Sequence, residues 1–234
     1  RKFFAGPESF TPDTNTLLGE VPEVKNFFVC TGLNSIGIGS GGGVGKVTAE
    51  WLMNGHINED IFNYDIKRFQ KFHSSLGFIK NRITETLGDL YGMHWPFKQH
   101  KTSRNVMTTP YHEELSKVGA CFGVSGGYER PMWFAQNEKK PEYEYSYNYQ
   151  NWYPSVEFET KNTVKNIGLF DLTPFSKFEL KGENAHEVLQ KLCTANIKHE
   201  IGKCTYTQML NPDGGVETDL TVVCLEKNYF RIIS

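Results

Sequence analysis

Asp219 sits where a carboxylate can do chemistry. In residues 205–223, TYTQMLNPDGGVETDLTVV, two alternating runs flank a turn at Asn211-Pro212-Asp213-Gly214-Gly215. Alternation with period two around a Gly-rich break predicts a β-hairpin, and Asp219 has the opposite parity to Leu220 and Val222. A carboxylate on that face can stabilise a cation or take a proton. The plain alternative is a solvent-facing strand residue.

The second such feature is the glycine run Gly32 to Gly45, GLNSIGIGSGGGVG. An apolar strand, 26–31, leads into it, and a helix follows with Val44, Val47, Trp51 and Leu52 at helical spacing, stopped by Asn54-Gly55. Strand, glycine loop and helix in that order point to an anion- or cofactor-facing helix start. A phosphate-cradling P-loop is excluded, because Gly45-Lys46 is followed by Val47 and Ser40 stands where the first glycine is needed. A G-x-G-x-x-G match at Gly37, Gly39 and Gly42, with Asp60 downstream, lacks an evident second strand to complete a dinucleotide-binding unit. Two readings stay open. Either backbone amides at the positive helix end approach a planar cofactor closely, or the glycines let a helix cross tightly over a sheet.

The remaining elements must position these two features. Residues 61–107 carry amphipathic runs at 65–72 and 78–87 and then an irregular stretch, which reads as a connecting subdomain. Thr109, Pro110 and Gly119 suit the cap, first turn and end of a helix whose buried stripe is Tyr111, Leu115 and Val118. The Tyr-rich run 141–154 predicts a surface loop that packs its rings on a neighbouring domain. The run itself holds no Lys or Arg, which a base-stacking platform would require. Beyond it the pattern predicts a helix at 155–167, strands at 167–172 and 177–180, and a helix at 184–192 burying Ala185, Val188, Leu189 and Leu192.

Composition narrows the function classes. A net charge of -2 with scattered Lys and Arg leaves no electrostatic footprint for nucleic acid. The five cysteines are odd in number and form no C-x-x-C pair, as expected of free, mostly buried thiols in a reducing compartment. No closely spaced His/Cys cluster predicts a metal, and no apolar run approaches the roughly 20 residues of a membrane span. The 234 residues suffice for one or two domains. The chain opens without Met and stops inside an apolar run at 229–234, so it reads as a piece of a longer polypeptide.

Two blocks of residues together resemble one family. Ala5-Gly-Pro-Glu-Ser-Phe-Thr-Pro-Asp13, Gly32-Leu-Asn-Ser-Ile-Gly37, Gly41-Gly-Gly-Val-Gly45 and Ala49-Glu-Trp-Leu52 resemble the end of the flavin domain of sarcosine and dimethylglycine dehydrogenases. Thr109-Pro-Tyr-His-Glu113, Gly127-Tyr-Glu-Arg-Pro131, Gly168-Leu-Phe-Asp171 and Gly214-Gly-Val-Glu-Thr-Asp219 are similar to the first part of the glycine-cleavage aminomethyltransferase. Those dehydrogenases carry the two parts in this order. The resemblance implies an α/β remnant of a flavin (amino-acid-oxidase-like) domain, followed by an α+β aminomethyltransferase-like domain. The expected divisions are 1–65 for the flavin part, 66–107 for the connector and 108–234 for the folate-binding part.

The resemblance also implies an activity: FAD oxidises an N-methyl amine to an iminium ion, whose one-carbon unit passes to tetrahydrofolate or leaves as formaldehyde. An electron acceptor completes the turnover. Gly32, Leu33, Asn34, Ser35, Ile36 and Gly37 are then the flavin-facing turn, with Asn34 adding a side-chain donor. Asp219 is the catalytic folate-site carboxylate, its pKa set by burial. Phe175, where the family usually has Met, and Tyr206 line the folate pocket. The phosphate-holding half of the flavin domain lies upstream, so the chain alone is not expected to bind FAD tightly. The implied location is the cytoplasm in a bacterium and the mitochondrial matrix in a eukaryote. The same architecture resembles the regulatory subunit of pyruvate dehydrogenase phosphatase, which offers a non-enzymatic alternative.

Overall fold

The structure, a computed structural model, describes residues 2–57, 59–136 and 140–234. The chain divides into two compact units, Arg1–Ile167 and Gly168–Ser234.

In the first unit, β1 (Leu17–Glu20) and β2 (Phe28–Thr31) form an antiparallel pair, and α1 (Gly37–Asn54) follows the turn after β2. Trp51 of α1 sits over Gly19, whose φ of 108° and contact with the indole leave no room for a side chain: a Cβ there would lie 2.6 Å from the ring. The same indole meets Phe28 edge-on at 5.9 Å. Gly55 stops the helix in the left-handed conformation, bonding back to the Trp51 carbonyl.

The expected long glycine loop is therefore shorter than the sequence pattern predicts. Gly37, Gly39, Gly41, Gly42, Gly43 and Gly45 lie inside α1, although each such glycine costs a helix interior up to about 1 kcal/mol relative to alanine. This removes the dinucleotide-type match, whose glycines would have to shape the turn itself. The two strands beside α1 are antiparallel, so they do not form the parallel unit that such a site needs.

Two single 3₁₀ turns, at Ile66–Arg68 and Lys71–Ser74, precede α2 (Leu76–Leu90). α3 (His112–Lys117) is short, and Tyr111 and Val118, expected in its buried stripe, are exposed. The helix is too brief to present a full apolar face, and the hairpin of β3 (Ala120–Ser125) and β4 (Tyr128–Phe134) takes the interior positions instead, through Ala120, Cys121 and Trp133. The tyrosine-rich run packs within its own unit. Tyr143 meets Trp133 and Trp152, the Tyr145 hydroxyl accepts from the Gln99 amide at 2.8 Å, and Tyr147 leans on Trp95. α4 (Tyr153–Lys165) closes the unit with a proline in its first turn.

One ion pair in this unit escaped the sequence reading. Glu129, 2% exposed in β4, receives Arg104 Nε at 2.7 Å, Arg104 Nη2 at 2.5 Å and the Asn105 amide at 2.8 Å. Burial by itself would raise its carboxyl, but these hydrogen bonds and the guanidinium charge outweigh it and hold the group below the usual carboxylate range. Glu129→Gln is expected to cost about 2–4 kcal/mol near neutral pH, because it leaves a half-buried guanidinium without its anion. The folded-state pKa is the lower one, so the carboxylate stabilises the fold above the unfolded value and this contribution fades as pH falls through the folded value. Urea melts of both proteins from neutral to acidic pH should therefore converge; a gap independent of pH would show that the charge is not what stabilises this site.

The second unit is an antiparallel sheet in the order β5-β8-β7-β6, built from β5 (Lys177–Lys181), β6 (Cys204–Leu210), β7 (Val216–Glu226) and β8 (Tyr229–Ile233). α5 (Ala185–Leu192) contributes Ala185 and Leu189 to a core with Cys193, Ile197, Leu220, Val222, Cys224 and Phe230. Val188 and Leu192, expected in that core, are more than two-fifths exposed, since an eight-residue helix turns only a narrow stripe inward. Residues 167–172, expected as a strand, form no ladder and enter β5 through a turn at Asp171–Phe175. All five cysteines are free thiols, three of them buried.

Candidate functional site

The turn between β2 and α1 is the first candidate site. Gly32, Asn34 and Ser35 all have positive φ, at 65°, 49° and 64°, which reverses the chain within a few residues. A Cβ on Gly32 would lie 2.5 Å from the Thr11 methyl carbon, so glycine is required there on both conformational and steric grounds. Asn34 is 1% exposed. Its Oδ1 accepts from the Thr11 amide at 2.8 Å and the Thr11 hydroxyl at 3.2 Å, its Nδ2 donates to the Gly32 carbonyl at 2.6 Å, and its own amide donates to the Ser9 carbonyl at 3.1 Å.

Asn34 thus pins the 9–16 segment under the turn from inside. This corrects the expectation of a side-chain donor for a ligand, because the amide group faces the protein. Arg68 holds the same segment from the other side with a two-point bond to Asp13, at 2.6 and 3.0 Å.

The turn delivers the start of α1 in a bare state. Ile36 is its N-cap, no side chain caps it, and no acidic residue occupies its first turn. The helix start is flanked by Ile36 and Ile38, both exposed, while Leu33 and Gly37 are half-buried. Amides at a helix start carry partial positive charge, so an apolar-flanked, uncapped start fits a flat apolar group with a negative edge.

The hairpin of the second unit is the other candidate site. Its register pairs Gln208 with Asp219 and Tyr206 with Thr221, placing Tyr206 and Asp219 diagonally on one face. Asn211 shapes the turn by accepting from the Asp213 and Gly215 amides, with Gly214 at a φ of 84°. The Tyr206 hydroxyl donates to Asp219 Oδ2 at 3.0 Å, and the carboxylate holds the phenol above its ordinary pKa. Asp219 is exposed, as is Tyr206 at 66%. The expected burial of this carboxylate is therefore absent: Leu220 and Val222 take the core face, and the pleat turns Asp219 the other way. The rows Lys177↔Ile233 and Thr221↔Ile233 place Phe175 at the same end of the sheet as Asp219.

A third group emerges only in three dimensions. Glu85, Asp89 and His100 bring potential ligand atoms within 4.8 Å of one another. Lys98 bonds Asp89, and Arg82 stands 4.0 Å from Glu85, so both carboxylates already face cations and the cluster reads as a charge network. Spacing alone conceals it, since its members lie on α2 and on the irregular stretch after it.

Comparisons with known proteins match two successive domains, which meet near residue 110 rather than at the break between the two compact units. Residues 111–234 match the GCVT N-terminal domain, and residues 54–109 match the FAD dependent oxidoreductase central domain. The chain is 42% identical over 233 residues to 4-methylaminobutanoate oxidase (formaldehyde-forming) of Paenarthrobacter nicotinovorans, covering 100% of this chain and 28% of that protein. It is 34% identical over 233 residues to the mitochondrial pyruvate dehydrogenase phosphatase regulatory subunit of Mus musculus, with coverages of 97% and 26%. Mitochondrial sarcosine dehydrogenase of Homo sapiens is 35% identical over 247 residues, with coverages of 93% and 26%. The chain spans about a quarter of the length of these relatives. With the GCVT domain matched over more than half of its residues and the flavin-side domain directly ahead of it, the chain belongs to the sarcosine and dimethylglycine dehydrogenase family.

Proposed function

We propose that the full-length protein is an FAD-dependent oxidoreductase that demethylates a small N-methyl amino acid and hands the one-carbon unit to tetrahydrofolate. The observation that carries this reading is the order of two chemically distinct sites in one family chain: an uncapped helix start behind Gly32–Gly37, then an exposed carboxylate at Asp219. FAD, when bound, supplies the two-electron oxidation of the amine.

The chain's own part begins at the turn. Backbone amides at the start of α1 offer preorganised donors to negative charge, and the rigid Asn34–Thr11 clamp fixes their direction before any ligand arrives. Ile36 and Ile38, both exposed, offer an apolar flank beside them. In the folate half, Asp219 supplies the negative charge that attracts a cationic one-carbon donor and the base that takes a proton from the attacking amine. Tyr206 holds Oδ2 in place and leaves the other oxygen to act. Phe175 gives the pocket an apolar edge. In this reading residues 1–65 finish the flavin domain, 66–107 connect, and 108–234 carry the folate half.

The names of the relatives favour sarcosine, dimethylglycine or 4-methylaminobutanoate as the amine. Anaerobic mixing of the full-length protein with each should bleach the flavin colour with one of them, and added tetrahydrofolate should divert the product from free formaldehyde. A protein that holds no flavin and is inert to all three amines would instead support the regulatory alternative, which draws on the likeness to the phosphatase subunit.

A further inference from the structure

We propose that a cavity of about 460 Å³ in the first unit, which shares Asp13 and Arg68 with the packing beneath the β2–α1 turn, binds a small aromatic carboxylate through Arg82 against the rings of Phe69, Phe72, His73 and Phe78. Its size falls in the range of small-molecule sites.

Arg82 is the centre of the argument. It is 7% exposed and lines the cavity. Its Nε donates to the Thr102 hydroxyl at 3.2 Å and its Nη2 to the Thr102 carbonyl at 2.6 Å, two uses of the five N–H groups a guanidinium carries. Among the described residues the carboxylate in ion-pair range is Glu85, 4.0 Å from Nε, and its oxygens already accept from the Lys101 amide and from the amide and hydroxyl of Thr102. The cavity's other charged walls are matched more closely. Arg68 grips Asp13 at two points, and Glu129 is gripped by Arg104. The three remaining N–H groups of Arg82 are the donors offered to a ligand carboxylate, with Glu85 as the ion-pair partner within the fold.

The neighbours of Arg82 define the rest of the ligand. His73 Nδ1 lies 3.0 Å from the Gln70 amide nitrogen and 3.3 Å from the Gln70 carbonyl oxygen, so the backbone holds this ring in place at the cavity wall. Burial and, further down, the charge of Arg82 hold this imidazole below its ordinary pKa. The planar guanidinium suits a carboxylate, with two acceptor oxygens in one plane.

The walls are aromatic. The guanidinium carbon of Arg82 lies 5.1 Å from the Phe78 ring centre, Phe72 meets Phe78 edge-on at 5.4 Å, and His73 stacks on Phe72 at 4.0 Å. Rings set at such angles favour a flat aromatic body over a branched aliphatic one.

Fluorine NMR and calorimetry on the full-length protein, with 4-fluorobenzoate and 4-fluorobenzylammonium as paired probes, test the assignment. Benzoate is expected to bind and benzylammonium to bind at least about tenfold more weakly. Arg82→Gln should weaken benzoate by about 10- to 100-fold. Phe72→Leu, which keeps the charge, should weaken it by about 3- to 10-fold. Equal or tighter binding of benzylammonium would overturn the proposal, as would failure of both probes to bind. If Arg82→Gln does not fold, Arg82→Lys and Phe72→Leu decide, and unchanged benzoate affinity in both is the overturning result.

Discussion

Asp219→Asn in the full-length protein is expected to lower folate-dependent one-carbon transfer by about 10²–10⁴-fold, the usual range for loss of a positioned acid or base. Amine-driven flavin reduction should stay nearly unchanged. The substitution keeps shape and a hydrogen-bond acceptor for Tyr206, so the hairpin should fold as before. Only the negative charge and the proton-accepting lone pair are lost. Because the carboxylate is exposed here, its effect cannot come from repacking a core, and thermal stability should move by less than about 0.5 kcal/mol. Rapid-mixing absorbance follows flavin reduction, and trapping of formaldehyde against methylene-folate follows transfer. Equal loss of both activities would refute the division of labour between the two halves.

Gly32→Val is expected to remove flavin from the full-length protein and to destabilise the turn by about 2–4 kcal/mol, combining a steric conflict with a backbone conformation that β-branched residues avoid. The conflict has a named partner. The new Cβ would lie 2.5 Å from the Thr11 methyl carbon, and Thr11 is held to Asn34 by two hydrogen bonds, so it cannot step aside without breaking the clamp. Gly41→Ala, in the first turns of α1, is the control. Nothing lies within 4 Å of its Cβ position, and alanine in a helix interior should stabilise this chain by about 0.5–1 kcal/mol. Flavin content by absorbance and unfolding by circular dichroism separate the two. Normal flavin content in Gly32→Val would remove the turn from the cofactor site.

The two glycine substitutions show where the sequence was legible and where it was not. Gly-rich composition is visible in any reading of residues 32–45, but composition does not say which glycines make the turn. Positive φ and a side-chain collision decide that for Gly32, while five of the glycines in α1 face open space. The hairpin carrying Asp219 was readable because strand alternation and turn chemistry are local, and the parity of Asp219 against Leu220 and Val222 followed from them. The exposure of Asp219 relied on the same alternation, yet burial was expected, because burial depends on what else packs on that face. The short helices α3 and α5 misled in the same way. Periodicity marks which residues share a stripe, whereas the width of the stripe that becomes buried depends on the neighbouring sheet.

Local sequence determined the hairpin that carries Asp219, the strand–turn–helix order around Gly32 and the family, since each rests on residues within a few positions of one another or on matched motifs. Tertiary structure decided the rest. The Asn34–Thr11 clamp joins residues 23 positions apart, the Glu129–Arg104 pair residues 25 apart, and the Arg82 cavity draws on segments from Pro12 to Glu129. No window of sequence contains those partners together. Whether a polar side chain serves a ligand or the fold is settled by who else is within hydrogen-bond reach, and only the folded chain brings them there.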